Sequence, residues 1–180
     1  MAMKLTPYQA KILEFLFGCL PMGEGVDTLD FALKGDFRGR YFAAHAPLKD
    51  SDASVVFNLP IYSESVFIGL SRSDPKHTSL LLANLEDYER ESGLRFKSGD
   101  VAKIPARASG NADPPFALLL MKTAVASECA NVPGHIRIAG KDTSFFLVVP
   151  ISEGEDRIRA ESGHGALMEA FEGTNKDIFF

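Results

Sequence analysis

The 180-residue chain has the usual length of one domain and is long enough to bury an apolar core without disulfide bonds. A hydrophobic content of 46%, with 24% charged residues, indicates a globular protein and excludes a disordered one. The net charge of −5, with no cluster of basic residues, argues against nucleic-acid binding, which requires Lys and Arg to neutralise phosphates.

The cysteine content and the apolar runs point to a compartment. Cys19 and Cys129 are too few for a disulfide framework, so both are expected as buried thiols in a reducing environment. No apolar run reaches the ~18 residues that span a bilayer, and the first residues lack the features of a signal peptide. We therefore expect a soluble protein of the cytoplasm that has no membrane contact.

The first predicted element is a helix within residues 1–20. Thr6-Pro7 provides an N-cap hydroxyl followed by Pro at the first helical position. Apolar residues then recur at helical spacing up to Leu20, and Pro21 ends the helix.

The next hundred residues are predicted to form strands, a short helix and a hairpin. The short helix covers residues 84–90 and ends at Gly93. Residues 94–97 and 100–104 are expected to pair across a tight turn at Ser98-Gly99. The polar segment Asp50-Ser51-Asp52 is expected as a turn, and short apolar runs predict strands at residues 37–42, 55–59, 65–70 and 78–82.

The last third holds the strongest strand signals. After a predicted loop at residues 106–115, the continuous apolar run 116–121 is typical of a central strand. Residues 135–139 and 143–149 are predicted to pair across a turn at Gly140-Lys141, with Pro150 ending the second strand.

Two helical segments close the chain. Ser152 and Glu155 match a capping box, in which each side chain satisfies a backbone N–H of the other residue. The helix is expected to run to about Ser162, and a second helix covers residues 166–172. The glycines around His164 separate the two segments.

This succession predicts one α+β domain over residues 1–180, with a mixed, largely antiparallel β-sheet flanked by helices. The side chains expected in its core are Phe67, Phe116, Leu118, Phe145, Leu147 and Leu167.

No metal or phosphate motif stands out. The four histidines lack the spacing of a metal site, so no metal and no cofactor are expected. Gly163-His164-Gly165 is a weak match to a phosphate-binding loop, and a helix junction explains it better. His135 is expected on the solvent face of a strand. The histidines are His45, His77, His135 and His164.

No catalytic motif stands out either. Ser71 follows a strand but lacks the second glycine of a nucleophile elbow, so it is interpreted as a turn residue. Carboxylate pairs are interpreted as solvated, with Glu155 facing Arg159, and none is expected where burial would raise a pKa for acid–base catalysis. These pairs are Asp50/Asp52, Glu86/Asp87 and Glu153/Glu155/Asp156.

Four motifs, in order, resemble those of the suppressor of fused (SUFU) family. They are Phe67-Ile68-Gly69-Leu70-Ser71, Phe96-Lys97-Ser98-Gly99-Asp100, the strand and capping box of 144–155, and the closing helix of 163–171. The resemblance is strongest over residues 64–173 and suggests the small bacterial single-domain type. It departs from the family in lacking Trp, and the first 60 residues match only in their general pattern.

The resemblance implies a function as well as a fold. It implies a non-enzymatic domain that binds and sequesters a protein partner, either as a regulator or as an immunity protein that neutralises a toxin. Two alternatives remain open. One is a structural homodimer subunit. The other is a small hydrolase or transferase whose site is assembled only in space, from Ser71, His77, Asp100 or His164.

Overall fold

The computed structural model describes residues 4–33, 40–103 and 115–180. Within them the chain forms three helices, α1 (Pro7–Cys19), α2 (Pro75–Ser92) and α3 (Glu153–Thr174), and two short 3-10 turns. The eight strands of the described residues are β1 (Asp27–Phe31), β2 (Tyr41–Pro47), β3 (Ser54–Asn58), β4 (Ser65–Ser71), β5 (Val101–Ala102), β6 (Ala117–Met121), β7 (His135–Ile138) and β8 (Lys141–Ile151).

All eight strands belong to one sheet. Their order is β1-β2-β3-β4-β8-β6-β5, and β7 pairs with the first part of β8. The central pair, β4 with β8, is parallel, with Ser65–Ile68 opposite Ser144–Leu147. Every other pairing is antiparallel. The prediction of a single domain with a mixed, largely antiparallel sheet is confirmed.

Helices cover both faces of this sheet. Along β8, Phe145, Leu147 and Val149 pack on the face that α1 and α3 cover, while Phe146 and Val148 pack on the α2 face. The alternation follows from the two-residue period of a strand. Because both faces are buried, β8 reads as a continuous apolar run and not as alternating polar and apolar residues.

The capping box of α3 is present as predicted. The backbone N–H of Ser152 donates to Glu155 Oε1 at 2.9 Å, and the backbone N–H of Glu155 donates to Ser152 Oγ at 3.2 Å. Glu155 also bonds the Lys176 ammonium at 2.8 Å, whereas Arg159 pairs with Asp156 and not with Glu155. Burial alone would raise the pKa of Glu155, but the Lys176 and Ser152 contacts outweigh it and lower the pKa.

The helix α3 is broken where the glycines predict. Gly163 has a φ of 90°, a left-handed value that favours glycine, and it separates two helical stretches. Leu167 on the second stretch is fully buried. The second stretch ends at Thr174, two residues beyond the predicted end at residue 172.

The predicted strand at residues 78–82 is wrong. Thr78–Leu82 lies inside α2, which begins at Asp74-Pro75 and ends, as predicted, at Gly93. The Asp74 carboxylate accepts the backbone N–H of Lys76 at 3.0 Å, and a Pro at the first helical position has no N–H to satisfy. A capped helix of 18 residues therefore replaces a short strand and a short helix.

The predicted hairpin at 94–104 is also wrong. Residues 94–97 form no strand, and Val101–Ala102 pairs instead with Leu118 and Leu119 of β6. The turn at Ser98-Gly99 does exist, but it leads from α2 into the sheet. Residue 104 lies outside the described residues.

The last third of the chain differs from the prediction in three ways. Phe116 precedes β6, is 39% exposed and is therefore not a core residue, and its ring lies 5.1 Å from the Lys103 ammonium. The turn between β7 and β8 is Ala139-Gly140, and β8 continues through Pro150 to Ile151. The other predicted core residues are buried.

Two predictions lie wholly or partly outside the described residues. The predicted strand 37–42 overlaps the described chain only from residue 40, where β2 begins at Tyr41. The predicted loop 106–115 lies outside it except for Pro115.

Replacing Ser152 with Ala removes the hydroxyl that caps α3. We expect the free energy of unfolding to fall by about 1 kcal/mol, measured by urea denaturation. Ser152→Thr, which keeps the hydroxyl, is the matched control and should lose far less. Equal stability of the Ala variant and the wild type would show that the capping box contributes nothing.

Leu118 and Phe116 lie two residues apart but differ in burial, 0% against 39% exposed. Leu118→Ala should cost about 2–5 kcal/mol of unfolding free energy, because it leaves a cavity in the core. Phe116→Ala should cost less than about 1 kcal/mol, as surface changes do. Comparable losses for the two variants would contradict the assignment of Phe116 to the surface.

Candidate functional site

Two carboxylates of α2 are buried, contrary to the sequence-based expectation. Glu86 is 1% exposed and Glu89 is 6% exposed, although Glu86 was interpreted as part of a solvated pair. The face of α2 that packs on the sheet also carries Leu82 and Leu85. Helical spacing of three and four residues places all four side chains on this one face.

Glu86 holds the loop between β3 and β4. Its Oε1 accepts the backbone N–H of Ile61 at 2.8 Å and that of Tyr62 at 3.1 Å. Its Oε2 is buried with no hydrogen-bond partner among the described residues. Burial raises the pKa of Glu86 to about 7, although the two N–H bonds oppose the rise; the nearby Glu89 adds to it.

Glu89 links β4, which precedes α2, to the segment that follows α2. Its Oε2 accepts the backbone N–H of Phe96 at 2.9 Å and the hydroxyl of Ser65, the first residue of β4, at 3.0 Å. Its Oε1 is buried without a partner in the described part of the chain. Burial raises the pKa of Glu89 as well. We call Glu86, Glu89 and the backbone that they bind the acidic junction.

A second set of polar contacts flanks the acidic junction. The hydroxyl of Tyr41 donates to Asp87, and the Arg90 guanidinium lies 3.2 Å from the same hydroxyl. Arg90 also lies over the ring of Tyr62, 4.2 Å from its centroid. Burial raises the pKa of Tyr41. These contacts fasten α2 to β2 and to the β3–β4 loop.

The elements that the acidic junction joins carry exposed apolar side chains. Ile61, Tyr88 and Leu94 are 38%, 50% and 62% exposed, and they are three of the six large apolar side chains that the described residues expose. The ring of Tyr88 stacks on Phe96, with centroids 5.2 Å apart. We call Ile61, Tyr88 and Leu94 the apolar rim. Ile61 and Leu94 belong to segments whose backbone the buried carboxylates hold, and Tyr88 lies on α2 itself.

The segment after α2 is tied to the sheet as well. The Arg95 guanidinium donates to the backbone oxygen of Glu64 at 3.0 Å and to that of Asp142 at 2.6 Å. It also lies 3.4 Å from the Glu64 carboxylate. Residues 93–96 are therefore held from two directions, which gives the apolar rim a defined backbone.

The acidic junction is suited to holding structure. Carboxyl groups that are 1% and 6% exposed are closed to a substrate in this conformation. Their bonds run to backbone N–H groups of the same chain, so the pair joins a helix to two loops. The raised pKa values of Glu86 and Glu89 make this connection between the helix and the loops sensitive to pH.

Ser71 and His77, two of the four residues considered for an enzyme site, lie at the end of β4 and at the start of α2. Ser71, predicted as a turn residue, is the last residue of β4 and is buried, with its Oγ 3.2 Å from Thr78 Oγ1 and from the backbone oxygen of Ser73. His77 lies in the first turn of α2, and its backbone N–H donates to the backbone oxygen of Asp74 at 3.1 Å. No hydrogen bond joins Ser71 to His77 among those described.

Asp100 and His164, the other two, lie together elsewhere. Asp100 accepts the backbone N–H of Lys97 at 2.7 Å, and a Cβ placed on Gly99 would lie 3.9 Å from His164 Nδ1. Asp100 precedes β5, three strands from β4 in the sheet order, which is roughly 14 Å at ~4.8 Å per strand. The four residues therefore form two separate groups.

The sequence also predicts an exposed His135 and two buried cysteines. His135 is exposed on β7, as expected, with Nε2 3.9 Å from Asp142. Cys19 is half-buried and Cys129 is buried; both are free, and burial raises the pKa of Cys129 to about 12. In the described ranges, no group of three or more His, Cys, Asp or Glu side chains is arranged to hold a metal ion. None of the described helices is long and apolar enough to cross a membrane.

Glu86→Gln should change how stability depends on pH. The folded-state pKa lies above the unfolded value, so the protonated acid stabilises the fold below a pH of about 4.5, and this contribution is lost as the pH rises through about 7. The loss amounts to at most about 3 kcal/mol. The amide keeps an oxygen for Ile61 and Tyr62 but does not titrate.

Urea denaturation at a pH of about 5 and of about 8 measures the effect. The wild type should lose stability towards the higher pH, and Glu86→Gln should lose less and exceed the wild type there. Glu14→Gln, at an exposed carboxylate of α1, is the control and should behave like the wild type. Parallel pH profiles for all three proteins would rule out the raised pKa.

Comparisons with known proteins bear on the fold. No protein-family model matches this chain, and no curated protein matches it significantly. Solved structures do match it. A crystal structure from Neisseria gonorrhoeae, described as a suppressor of fused homologue, covers 96% of this chain and 93% of its own, with a TM-score of 0.68 and 12% identity.

Two further structures resemble it less. The chain matched in the Sufu–Fu complex gives a TM-score of 0.49 at 12% identity, over 88% of this chain and 73% of that one. Drosophila Suppressor of Fused gives 0.43 at 13% identity, over 88% and 40%. The match to the bacterial structure extends over nearly all of both chains, and it shows that this chain has the suppressor of fused-like fold that its motifs predict.

Proposed function

We propose that this chain is a non-enzymatic protein-binding domain that holds its partner through the apolar rim. The observation that carries the proposal is the exposure of Ile61, Tyr88 and Leu94 on elements that buried carboxylates join. The suppressor of fused-like fold agrees with this proposal, because the family resemblance of the sequence implies protein binding.

Preorganisation is the physical reason why such a rim suits binding. A partner that meets an ordered surface does not have to offset the entropy of ordering loops. Aromatic and aliphatic side chains at the centre of an interface usually carry most of the binding energy. Tyr88, already stacked on Phe96, would lose little rotamer freedom on contact.

The proposal extends to the kind of partner and its setting. With a net charge of −5, the chain suits a partner of basic surface, because complementary charge speeds encounter. We assign residues 1–180 to one domain, place it in the cytoplasm and regard the partner as a regulatory protein or a toxin that this chain sequesters. The free state of Cys19 and Cys129 agrees with a reducing compartment.

Leu94→Asp should abolish partner binding. A charge at the most exposed rim position, 62% exposed, opposes burial of that side chain in an interface. Tagged wild-type protein should recover a stoichiometric protein from the native host, and the variant should recover at least about tenfold less, a loss of 1.4 kcal/mol or more. Val125→Asp is the matched control, since Val125 is 51% exposed on another element.

Three outcomes would contradict the proposal. Equal recovery by Leu94→Asp and Val125→Asp would remove the apolar rim from the interface. A concentration-dependent dimer that only Leu94→Asp dissociates would make the chain a homodimer subunit. Turnover of a small molecule, abolished by replacing Ser71, His77, Asp100 or His164, would make it an enzyme.

A further inference from the structure

The two central strands pair over only part of their length. The β4–β8 ladder covers Ser65–Ile68 opposite Ser144–Leu147, yet β4 continues to Ser71 and β8 to Ile151. Pro150, which has no N–H to donate, lies in the part of β8 that pairs with β6 but not with β4. Beyond the ladder, the edge of β4 that faces β8 therefore offers backbone groups to another segment.

The chain's own segment 176–180 fills this place. The N–H of Phe180 donates to the backbone oxygen of Leu70 at 2.8 Å, and the N–H of Arg72 donates to the backbone oxygen of Phe180 at 2.9 Å. These two bonds are the pattern of a parallel β-bridge. Ile178 and Phe179 pack against the core on the α1 and α3 face of the sheet, and Phe180 packs on the α2 face.

The place has a defined socket for an aromatic ring. A Cβ added at Gly69 would lie 2.9 Å from Thr78 Cγ2 and 3.3 Å from Phe180 Cε2, so the missing side chain makes the room for the ring. The Arg72 guanidinium lies 4.0 Å from the ring centroid of Phe179 and 3.3 Å from Asp177. Segment 176–180 thus places one acidic, one apolar and two aromatic side chains at this edge of β4.

Lys176 is held by its 2.8 Å bond to Glu155, but the polar hold on residues 177–180 is weak. The pair Arg72–Asp177 has exposures of 50% and 65%, and exposed ion pairs contribute about 0–1 kcal/mol. Phe179 and Phe180 are only half-buried. Two strand-type backbone bonds and two partly covered rings can be replaced by a competing segment that offers the same groups.

We propose that this edge of β4, with Gly69, Thr78 and Arg72, is a strand-addition site for an extended partner peptide of the pattern acidic–apolar–aromatic–aromatic. The chain's own segment 176–180 occupies the site until such a peptide replaces it. The site lies at the C-terminal end of β4 and the start of α2, the opposite end of both elements from the acidic junction. A result at this site therefore neither supports nor contradicts the proposal for the apolar rim.

Full-length protein with Phe179→Ala and Phe180→Ala tests the proposal. The probe is a fluorescein-labelled peptide, Lys-Asp-Ile-Phe-Phe, with the sequence of residues 176–180, followed by fluorescence anisotropy. The double variant should bind it in the micromolar range, and the wild type at least about tenfold more weakly, because its own segment competes. A peptide whose last residue is Ala should bind the double variant at least about tenfold more weakly.

A blocking variant is the matched control. Adding Gly69→Ala together with Thr78→Ser to the double variant places a methyl group in the socket, while the serine removes the methyl that would clash and keeps the hydroxyl bonded to Ser71. Binding should fall below detection. Unchanged binding by the blocked protein, or no binding by a folded double variant, would overturn the proposal.

Two further outcomes are decided by wild-type protein. If the double variant does not fold, the wild type is exposed to excess peptide whose last residue is benzoylphenylalanine; photo-crosslinks at the start of α2 support the site, and their absence overturns it. If the wild type instead forms a concentration-dependent dimer that Phe180→Ala dissociates, the occupant is a second copy of the chain and a partner peptide is excluded.

Discussion

The burial of β4 and β8 on both faces is the constraint on which the rest of the structure depends. A parallel pair covered by α1 and α3 on one side and by α2 on the other has no access to water, so polar groups at its ends need partners inside the protein. The side chain of Asn58 meets this need by bonding the backbone of Ser65 and Phe67. The acidic junction meets it for the β3–β4 loop.

The same constraint accounts for both proposed binding regions. At one end of β4, carboxylates from the covering helix satisfy the loop backbone, and the ordered loops carry exposed apolar side chains. At the other end, the strands separate, and segment 176–180 takes the place of a missing neighbour. Each region exists because the backbone of a buried strand must be paired to its last residue. The ionisation cost of Glu86 is one consequence of this arrangement.

The sequence predicts much of the sheet and the N-caps of α1 and α3, because continuous apolar runs and capping residues are local signals. It fails at residues 78–82, where three consecutive leucines suggest a strand and the Asp74-Pro75 start of a helix is the stronger signal. That error hides the acidic junction in part, since Leu82 joins Leu85, Glu86 and Glu89 on one buried face only once α2 is a single helix. Segment 176–180 has no local signal for its place, which depends on where the fold carries the end of α3.

The pKa of the Glu86 carboxyl group provides the most direct test of the acidic junction. Its ionisation can be followed by ¹³C NMR of the side-chain carboxyl, together with the amide shifts of Ile61 and Tyr62. We predict a carboxyl midpoint at a pH of about 7. Both amides should titrate at the same midpoint, because they donate to Oε1 of Glu86. A midpoint near the ordinary value of 4.5, with neither amide responding, would show that the carboxylate is solvated and does not hold the loop.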